Sequence, residues 1–226
     1  MDFTISENIK RIRYDIEDAK AKYRKHDDIV KIMAVTKTVP YERVNYAISE
    51  GITLLGENRV QEYLSKKNFY NKNAEVNFIG HLQTNKIKYI IDDITLIHSV
   101  DSIKLAAEID KQSEKLQKCM DVLIEVNIGK EESKSGVHPE MLGEILDEMS
   151  LLKNIRIKGL MTIPPVFNSE ESFEKMQMLF NEFKAKRTDN INMDILSMGM
   201  SSDYALAVKY GSNIVRIGSG IFGTRK

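Results

Sequence analysis

The sequence predicts one α/β domain built as a (β/α)8 barrel, also called a TIM barrel. Eight short apolar segments alternate with segments in which apolar residues recur at helical spacing. Continuous apolar runs such as Val122–Val126 are typical of parallel strands buried on both faces. The 226 residues also fall within the range of roughly 200 to over 400 seen for such barrels. A doubly wound open sheet is the alternative, because both folds alternate strands with helices.

An extra N-terminal helix is predicted before the barrel, from Ser6 to about Lys25. Its apolar residues Ile9, Ile12, Ile16 and Ala19 recur at helical spacing and form one stripe. Eight strands are predicted to follow: Ile29–Thr36, Thr53–Gly56, Val76–Gly80, Ile94–Ser99, Val122–Ile128, Ile155–Met161, Ile195–Met198 and Ile214–Ile217.

A helical segment follows each strand except the last. The clearest is predicted from Ser169 to about Lys186, with Ser169 as its N-cap and its apolar side chains on one face. Asp101 is the expected cap of the helix after the fourth strand, and a short helix is predicted from Tyr204 to Tyr210. Because no linker-like change in composition interrupts the chain, we expect residues 1–226 to form a single domain.

Composition excludes several classes of function. Lys plus Arg (33) balance Asp plus Glu (33), which argues against nucleic acid or an anionic membrane as the main partner. No apolar run approaches the ~20 residues of a membrane helix, and the N-terminus does not resemble a secretion signal. Cys119 is the single cysteine, so we expect a reducing cytoplasm and no intrachain disulfide. The four histidines and this cysteine have no metal-ligand spacing, so no metal site is expected.

Function in such barrels lies at the carboxyl ends of the strands. Lys37 ends the first apolar run, Asn58 follows the second, and His81 and His98 lie at the ends of the third and fourth. An amine at the tip of a buried strand is suited to covalent chemistry with an aldehyde. Lys37 is one of 24 lysines, however, and on position alone it is more simply a solvated lysine at a strand end.

Two loops near the C-terminus predict a phosphate site. The seventh strand runs into Met198–Asp203 and the eighth into Arg216–Gly223, and both loops combine glycine with serine. Barrels of this type frequently bind phosphate with the loops after strands seven and eight, at a helix N-terminus. Either loop alone could merely cap a helix or turn the chain. Arg216 lies inside an apolar strand, so its guanidinium must have a partner.

Six stretches together resemble the pyridoxal phosphate (PLP) homeostasis protein family. They are Ala34–Lys37, Gly56–Glu62, Phe78–Lys86, Gly159–Met161, Ser197–Asp203 and Arg216–Gly223, and they cover nearly the whole chain in the order of the family. The family in turn resembles the N-terminal barrel of alanine racemase, the fold-type III class of PLP proteins. The resemblance therefore implies a PLP-binding barrel.

The resemblance also implies a role for individual residues. Lys37 would form the Schiff base with the PLP aldehyde, and Asn58 would lie close to the ring and the phosphate. Met161 would line the ring pocket, and Arg216 would face the pyridine nitrogen. The phosphate would be bound by Ser201, Gly218 and Ser219. The family more usually has threonine at position 219, but the hydroxyl is retained here.

The expected function is therefore PLP buffering or delivery without robust catalysis. The chain ends soon after its eighth strand, which leaves no room for the β domain that completes alanine racemase, and no catalytic residue is expected. The partners implied are PLP and PLP-dependent apoenzymes, and we expect a monomer. A small PLP-dependent amino-acid racemase is the first alternative. A PLP-independent phosphate-binding enzyme that uses His81 or His98 is the second. The role of Ser202, and PLP binding at a second lysine such as Lys86, stay open.

Overall fold

Eight strands close into a barrel in sequence order, which confirms the (β/α)8 prediction and excludes the doubly wound sheet. The structure is a computed structural model that describes residues 3–25, 27–165, 167–185 and 190–224. The strands are β1 Lys31–Val35, β2 Leu54–Glu57, β3 Glu75–Phe78, β4 Leu96–Val100, β5 Met120–Glu125, β6 Ile155–Met161, β7 Ile191–Ser197 and β8 Ile214–Ile217.

Eight α-helices lie within the described residues. They are α1 Phe3–Tyr23, α2 Tyr41–Ser49, α3 Val60–Lys66, α4 Ile103–Lys115, α5 Leu142–Met149, α6 Ser169–Lys184, α7 Tyr204–Lys209 and α8 Ser219–Phe222. Three short 3₁₀ segments supplement them at Lys67–Phe69, Thr84–Tyr89 and Pro139–Met141. None of the described helices is both long and apolar enough to cross a membrane.

The predicted boundaries are best where apolar residues run without interruption. β6 and β8 have the predicted bounds, whereas β7 begins at Ile191, before the predicted start at Ile195. The reason is that β7 places Asn192 and Asp194 away from the core. These polar residues interrupt the apolar run, so the first half of the strand was not predicted.

Two expected helix caps are wrong. Ser102 rather than Asp101 caps α4, and its side chain accepts a hydrogen bond from the N–H of Leu105. Asn168, with a φ of 71°, precedes α6, and Ser169 lies inside that helix. The predicted end of α6 near residue 186 falls outside the described residues.

The chain divides into two compact units. One combines Met1–Val76 with Met198–Lys226, and the other is Asn77–Ser197. In the first unit, β1 lies between β2 and β8 and pairs in parallel with both. In the second, β6 lies between β5 and β7 and likewise pairs with both. The single domain expected over residues 1–226 stays a prediction.

Each of the two units buries apolar side chains. In the first unit, the predicted stripe of α1 is buried, with Ile9, Ile12 and Ile16 at most 2% exposed. In the second, Leu123 and Met161 pack with Leu96 in a buried cluster. Burial of such side chains, at roughly 1.5–3 kcal/mol each, is the main driving force for folding in each unit.

Gly159 provides a test of the β6–β7 pairing. Its φ is 150°, and a Cβ added there would lie 1.8 Å from the carbonyl oxygen of Ile195. We predict that Gly159→Ala lowers the free energy of unfolding by about 3 kcal/mol or more, measured by urea denaturation. Gly143→Ala in α5 is the control, because its added Cβ would make ordinary contacts of 3.7 Å with Phe183. Equal stability of the two variants would contradict the register of these strands.

Candidate functional site

A cavity of about 1060 Å³ opens at the carboxyl ends of β1 and β8. The two strands pair in parallel, with Met33 opposite Arg216 and Ala34 opposite Ile217. The residues that follow each strand therefore reach the same edge of the sheet. The polar side chains that line the cavity are Lys37, Thr38, Arg43, Ser201, Ser202, Arg216, Ser219 and Thr224.

Lys37 lies in a tight turn at the end of β1. The N–H of Val39 donates to the carbonyl of Thr36 at 3.0 Å, and Thr38 has a φ of 63°. A positive φ at the third residue is the pattern of a type II turn, in which glycine or asparagine is usual. A β-branched residue in this region is rare and costs energy. The half-buried Lys37 is thus carried by a strained turn.

A buried carboxyl group lies beneath this turn. Glu57 is fully buried, and its Oε1 accepts hydrogen bonds from Thr36 Oγ1 at 2.6 Å and from the hydroxyl of Tyr70. Burial raises the pKa of Glu57 above 4.5, and these two hydrogen bonds reduce that rise without cancelling it. Burial and the neighbouring carboxyl group raise the pKa of Tyr70. The network ties the end of β1 to the end of β2.

Asn58 follows Glu57 directly and is half-buried. Its side-chain oxygen Oδ1 is buried and has no hydrogen-bond partner among the described residues. Buried polar atoms are nearly always satisfied, so this oxygen is available to a bound group or to a water molecule. Asn58 is therefore a candidate ligand-binding residue on an observation independent of the sequence motif.

The two C-terminal loops meet at Ser201. Its Oγ accepts the N–H of Gly220 at 3.0 Å, which leaves the hydroxyl proton to be donated elsewhere. A Cβ on Gly220 would come within 2.8 Å of Ile217 and 3.3 Å of Ser201 Oγ, so this approach requires glycine. Gly218, by contrast, has room for a Cβ at 3.5 Å from Val35. Gly218 and the exposed Ser219 both line the cavity, and their binding of phosphate stays a prediction.

Two arginines line the cavity. Arg216 is 3% exposed, and a guanidinium buried to this extent requires a partner. Arg43, which the sequence motifs did not indicate, donates from Nη2 to the carbonyl of Phe222 at 2.8 Å. This bond ties α2 to the last residue of α8. Positional reasoning missed it because the two residues are far apart along the chain.

The lining favours an anion. The described residues around the cavity include one lysine, two arginines and several hydroxyl groups, but no aspartate, glutamate, histidine, tyrosine or cysteine. Such donors suit a phosphate group, and the amine of Lys37 suits an aldehyde. The chemistry of the residues therefore fits a phosphate-bearing aldehyde such as PLP.

Met161, His81 and His98 lie in the unit Asn77–Ser197. Met161 is fully buried at the end of β6, and its role as a wall of the ring pocket stays a prediction. His98 is fully buried, with Nε2 2.9 Å from Asn77 Oδ1 and Nδ1 3.1 Å from Ser197 Oγ. Both ring nitrogens are engaged, which argues against acid–base catalysis by His98. His81 is exposed and lies 3.5 Å from Asp101.

Comparison with known proteins identifies the family. The profile of the family "Alanine racemase, N-terminal domain" matches residues 8–226. The pyridoxal phosphate homeostasis protein of Aquifex aeolicus is 41% identical over 97% of this chain and 98% of its own length. The chain belongs to the pyridoxal phosphate homeostasis protein family.

Solved structures are similar to this chain over nearly its whole length. PipY of Synechococcus elongatus, solved with PLP bound, is 28% identical with a TM-score of 0.84, over 97% of this chain and all of that one. Alanine racemase of Corynebacterium glutamicum is similar at the level of the fold alone. It is 16% identical with a TM-score of 0.70, over 98% of this chain and 61% of the racemase chain.

Glu57 makes stability depend on pH. Because its pKa is raised in the folded state, its contribution is fully present below pH 4.5 and is lost as the pH rises through the raised pKa. We predict that Glu57→Gln, which stays neutral, gains stability relative to the wild type as the pH rises from about 4 to about 8. Urea denaturation across this range measures the difference, with Glu144→Gln on the exposed surface of α5 as control. Parallel pH profiles for wild type and Glu57→Gln would contradict the assignment.

Proposed function

We propose that this protein binds PLP at Lys37 and thereby buffers or delivers the cofactor in the cell. The observation that carries the proposal is the cavity at the ends of β1 and β8, where Lys37 shares one lining with Ser201, Arg216 and Ser219. Homeostasis relatives that match nearly end to end support it, as does the relative solved with PLP bound. PLP supplies an aldehyde that condenses with a primary amine, with loss of water, and a phosphate group carrying nearly two negative charges.

Each residue has a proposed task in holding the cofactor. Lys37 provides the amine that binds the aldehyde. Ser201 and Ser219 donate hydroxyl hydrogen bonds to the phosphate, assisted by the backbone at Gly218 and Ser219 in the first turn of α8. Arg216 faces the pyridine nitrogen, where a fixed positive charge disfavours protonation and weakens the ring as an electron sink. Asn58 and Met161 complete the site around the ring.

We propose that the protein carries the cofactor and is not an enzyme. Racemisation needs a second acid–base group opposite the lysine. The described residues that line the cavity offer no carboxylate, imidazole, phenol or thiol for that task. We further propose that residues 1–226 act as one PLP-binding domain, that it is a cytoplasmic monomer, and that it passes PLP to PLP-dependent apoenzymes. The single cysteine supports the reducing location.

Removal of the amine tests the proposed anchor. We predict that Lys37→Ala abolishes the visible absorbance band that forms when wild-type protein is mixed with PLP, because the variant lacks the group that binds the aldehyde. Lys175→Ala is the matched control, since Lys175 lies on α6 in an exposed ion pair with Glu171. A band that persists unchanged in Lys37→Ala would refute the anchor.

The same preparations test the absence of catalysis. With the wild-type protein saturated with PLP, racemisation of L-alanine or L-serine should be no faster than with the same concentration of PLP alone. Turnover that is faster by orders of magnitude and is lost in Lys37→Ala would instead support the racemase alternative.

Ser201 allows the phosphate half of the site to be tested separately. Loss of one hydrogen bond to a charged group weakens binding by about 1.5–3 kcal/mol, or roughly 10- to 100-fold in Kd. We predict this loss for PLP in Ser201→Ala, but little change for pyridoxal, which has the aldehyde and lacks the phosphate. Ser150→Ala, at the exposed end of α5, is the control. Equal losses for both ligands would show that Ser201 does not bind the phosphate.

A further inference from the structure

The peptide groups on both sides of Lys37 are bound by side chains of α3. The carbonyl of Thr36 accepts a hydrogen bond from Lys66 Nζ at 3.1 Å. The N–H of Thr38 donates to Glu62 Oε1 at 2.5 Å. Two residues one helical turn apart thus hold the backbone immediately before and after the proposed anchor. Glu62 ends the motif Gly56–Glu62 and Lys66 lies outside it, but the sequence assigned no role to either side chain.

Glu62 and Lys66 are also ion-paired with each other. Their side chains are only 18% and 14% exposed, so salt screens this pair less than it screens a surface pair. Burial raises the pKa of Glu62, but the hydrogen bond from Lys66 and the N–H of Thr38 outweigh it, and the pKa is lowered overall. The carboxylate is therefore ionised near neutral pH, which strengthens both of its hydrogen bonds.

The turn needs such support because its backbone is strained. Thr38 has a φ of 63°, a region that β-branched residues rarely adopt. Within the turn, the bond from Val39 N–H to Thr36 O opposes relaxation. Strained backbone persists only where the surroundings over-determine it. The bonds from Glu62 and Lys66 provide that constraint from outside the turn.

We propose that Glu62 and Lys66 form a positioning pair that fixes the turn around Lys37 and so orients its amine in the cavity. This inference rests on the proposed function for its effect on PLP binding. The claim that the pair fixes the turn does not depend on PLP binding. The pair acts through its polarity: a negative oxygen faces the Thr38 N–H and a positive nitrogen faces the Thr36 carbonyl.

Charge reversal separates this role from simple helix stabilisation. The double variant Glu62→Lys with Lys66→Glu restores an ion pair at the same spacing, which costs the helix only a few tenths of a kcal/mol relative to the wild-type order. It also places an ammonium group against the Thr38 N–H and a carboxylate against the Thr36 carbonyl. If the pair only stabilises the helix, the reversed variant should behave like the wild type. If the pair positions the turn, reversal should not restore the hydrogen bonds to Thr36 and Thr38.

The first experiment uses the protein without PLP. Amide hydrogen exchange measured by NMR reports directly on the Thr38 N–H. We expect Glu62→Ala and the reversed double variant to accelerate this exchange on the order of tenfold or more. Glu171→Ala removes the exposed α6 pair with the same spacing and should leave the exchange unchanged. Unchanged exchange in Glu62→Ala would overturn the proposal whatever PLP does.

The second experiment measures PLP affinity by absorbance titration, with Tm recorded for each variant. We expect a Kd for PLP on the order of tenfold higher in Glu62→Ala and in the reversed double variant, at a Tm close to that of Glu171→Ala. Glu62→Gln should recover part of the loss, since its amide oxygen still accepts the Thr38 N–H. Wild-type affinity in the reversed double variant would overturn the positioning role.

The controls keep the two proposals distinguishable. If Lys37→Ala binds PLP as the wild type does, the proposed anchor fails, and the exchange experiment still decides whether the pair fixes the turn. If the anchor holds while Glu62→Ala matches the wild type in both exchange and affinity, the positioning pair alone is refuted.

Discussion

The parallel pairing of β1 with β8 is the constraint on which the candidate site depends. The register sets Met33 opposite Arg216 and Ala34 opposite Ile217, so the residues after both strands reach one edge. Lys37 follows one strand, and Gly218 and Ser219 follow the other. A slip of one residue would turn every side chain of the strand to the opposite face. Backbone hydrogen bonding thus fixes where an amine and a group of hydroxyl donors meet.

The first unit contains a strained turn at Thr38 and a buried side-chain oxygen without a partner at Asn58. Thr38 adopts an unfavourable φ, and the surrounding contacts from Glu62, Lys66 and the buried Glu57 network hold the end of β1 in place. Asn58, in contrast, has a buried oxygen with no partner among the described residues. Backbone strain and unsatisfied buried acceptors are both features expected where a protein is organised to bind a ligand rather than to maximise its own stability.

The sequence predicted the barrel because it follows from local patterns. Of the seven candidate site residues, five line the cavity, whereas Asn58 and Met161 are not among the residues that line it. Continuous apolar runs gave β6 and β8 their bounds, and the loop motifs indicated Ser201 and Arg216. The contacts of Arg43 and of the Glu62–Lys66 pair were missed because they join residues distant in the chain. The positive φ of Thr38 was unpredictable, since threonine disfavours it and only tertiary contacts impose it.

We propose that one of the 24 lysines, Lys37, holds the cofactor. The most direct measurement is borohydride reduction of the wild-type protein mixed with one equivalent of PLP, followed by proteolysis and mass spectrometry. We expect the stable modification to lie on the peptide containing Lys37 and nowhere else in comparable yield. Modification centred on Lys86 or another lysine, with the Lys37 peptide unmodified, would contradict it.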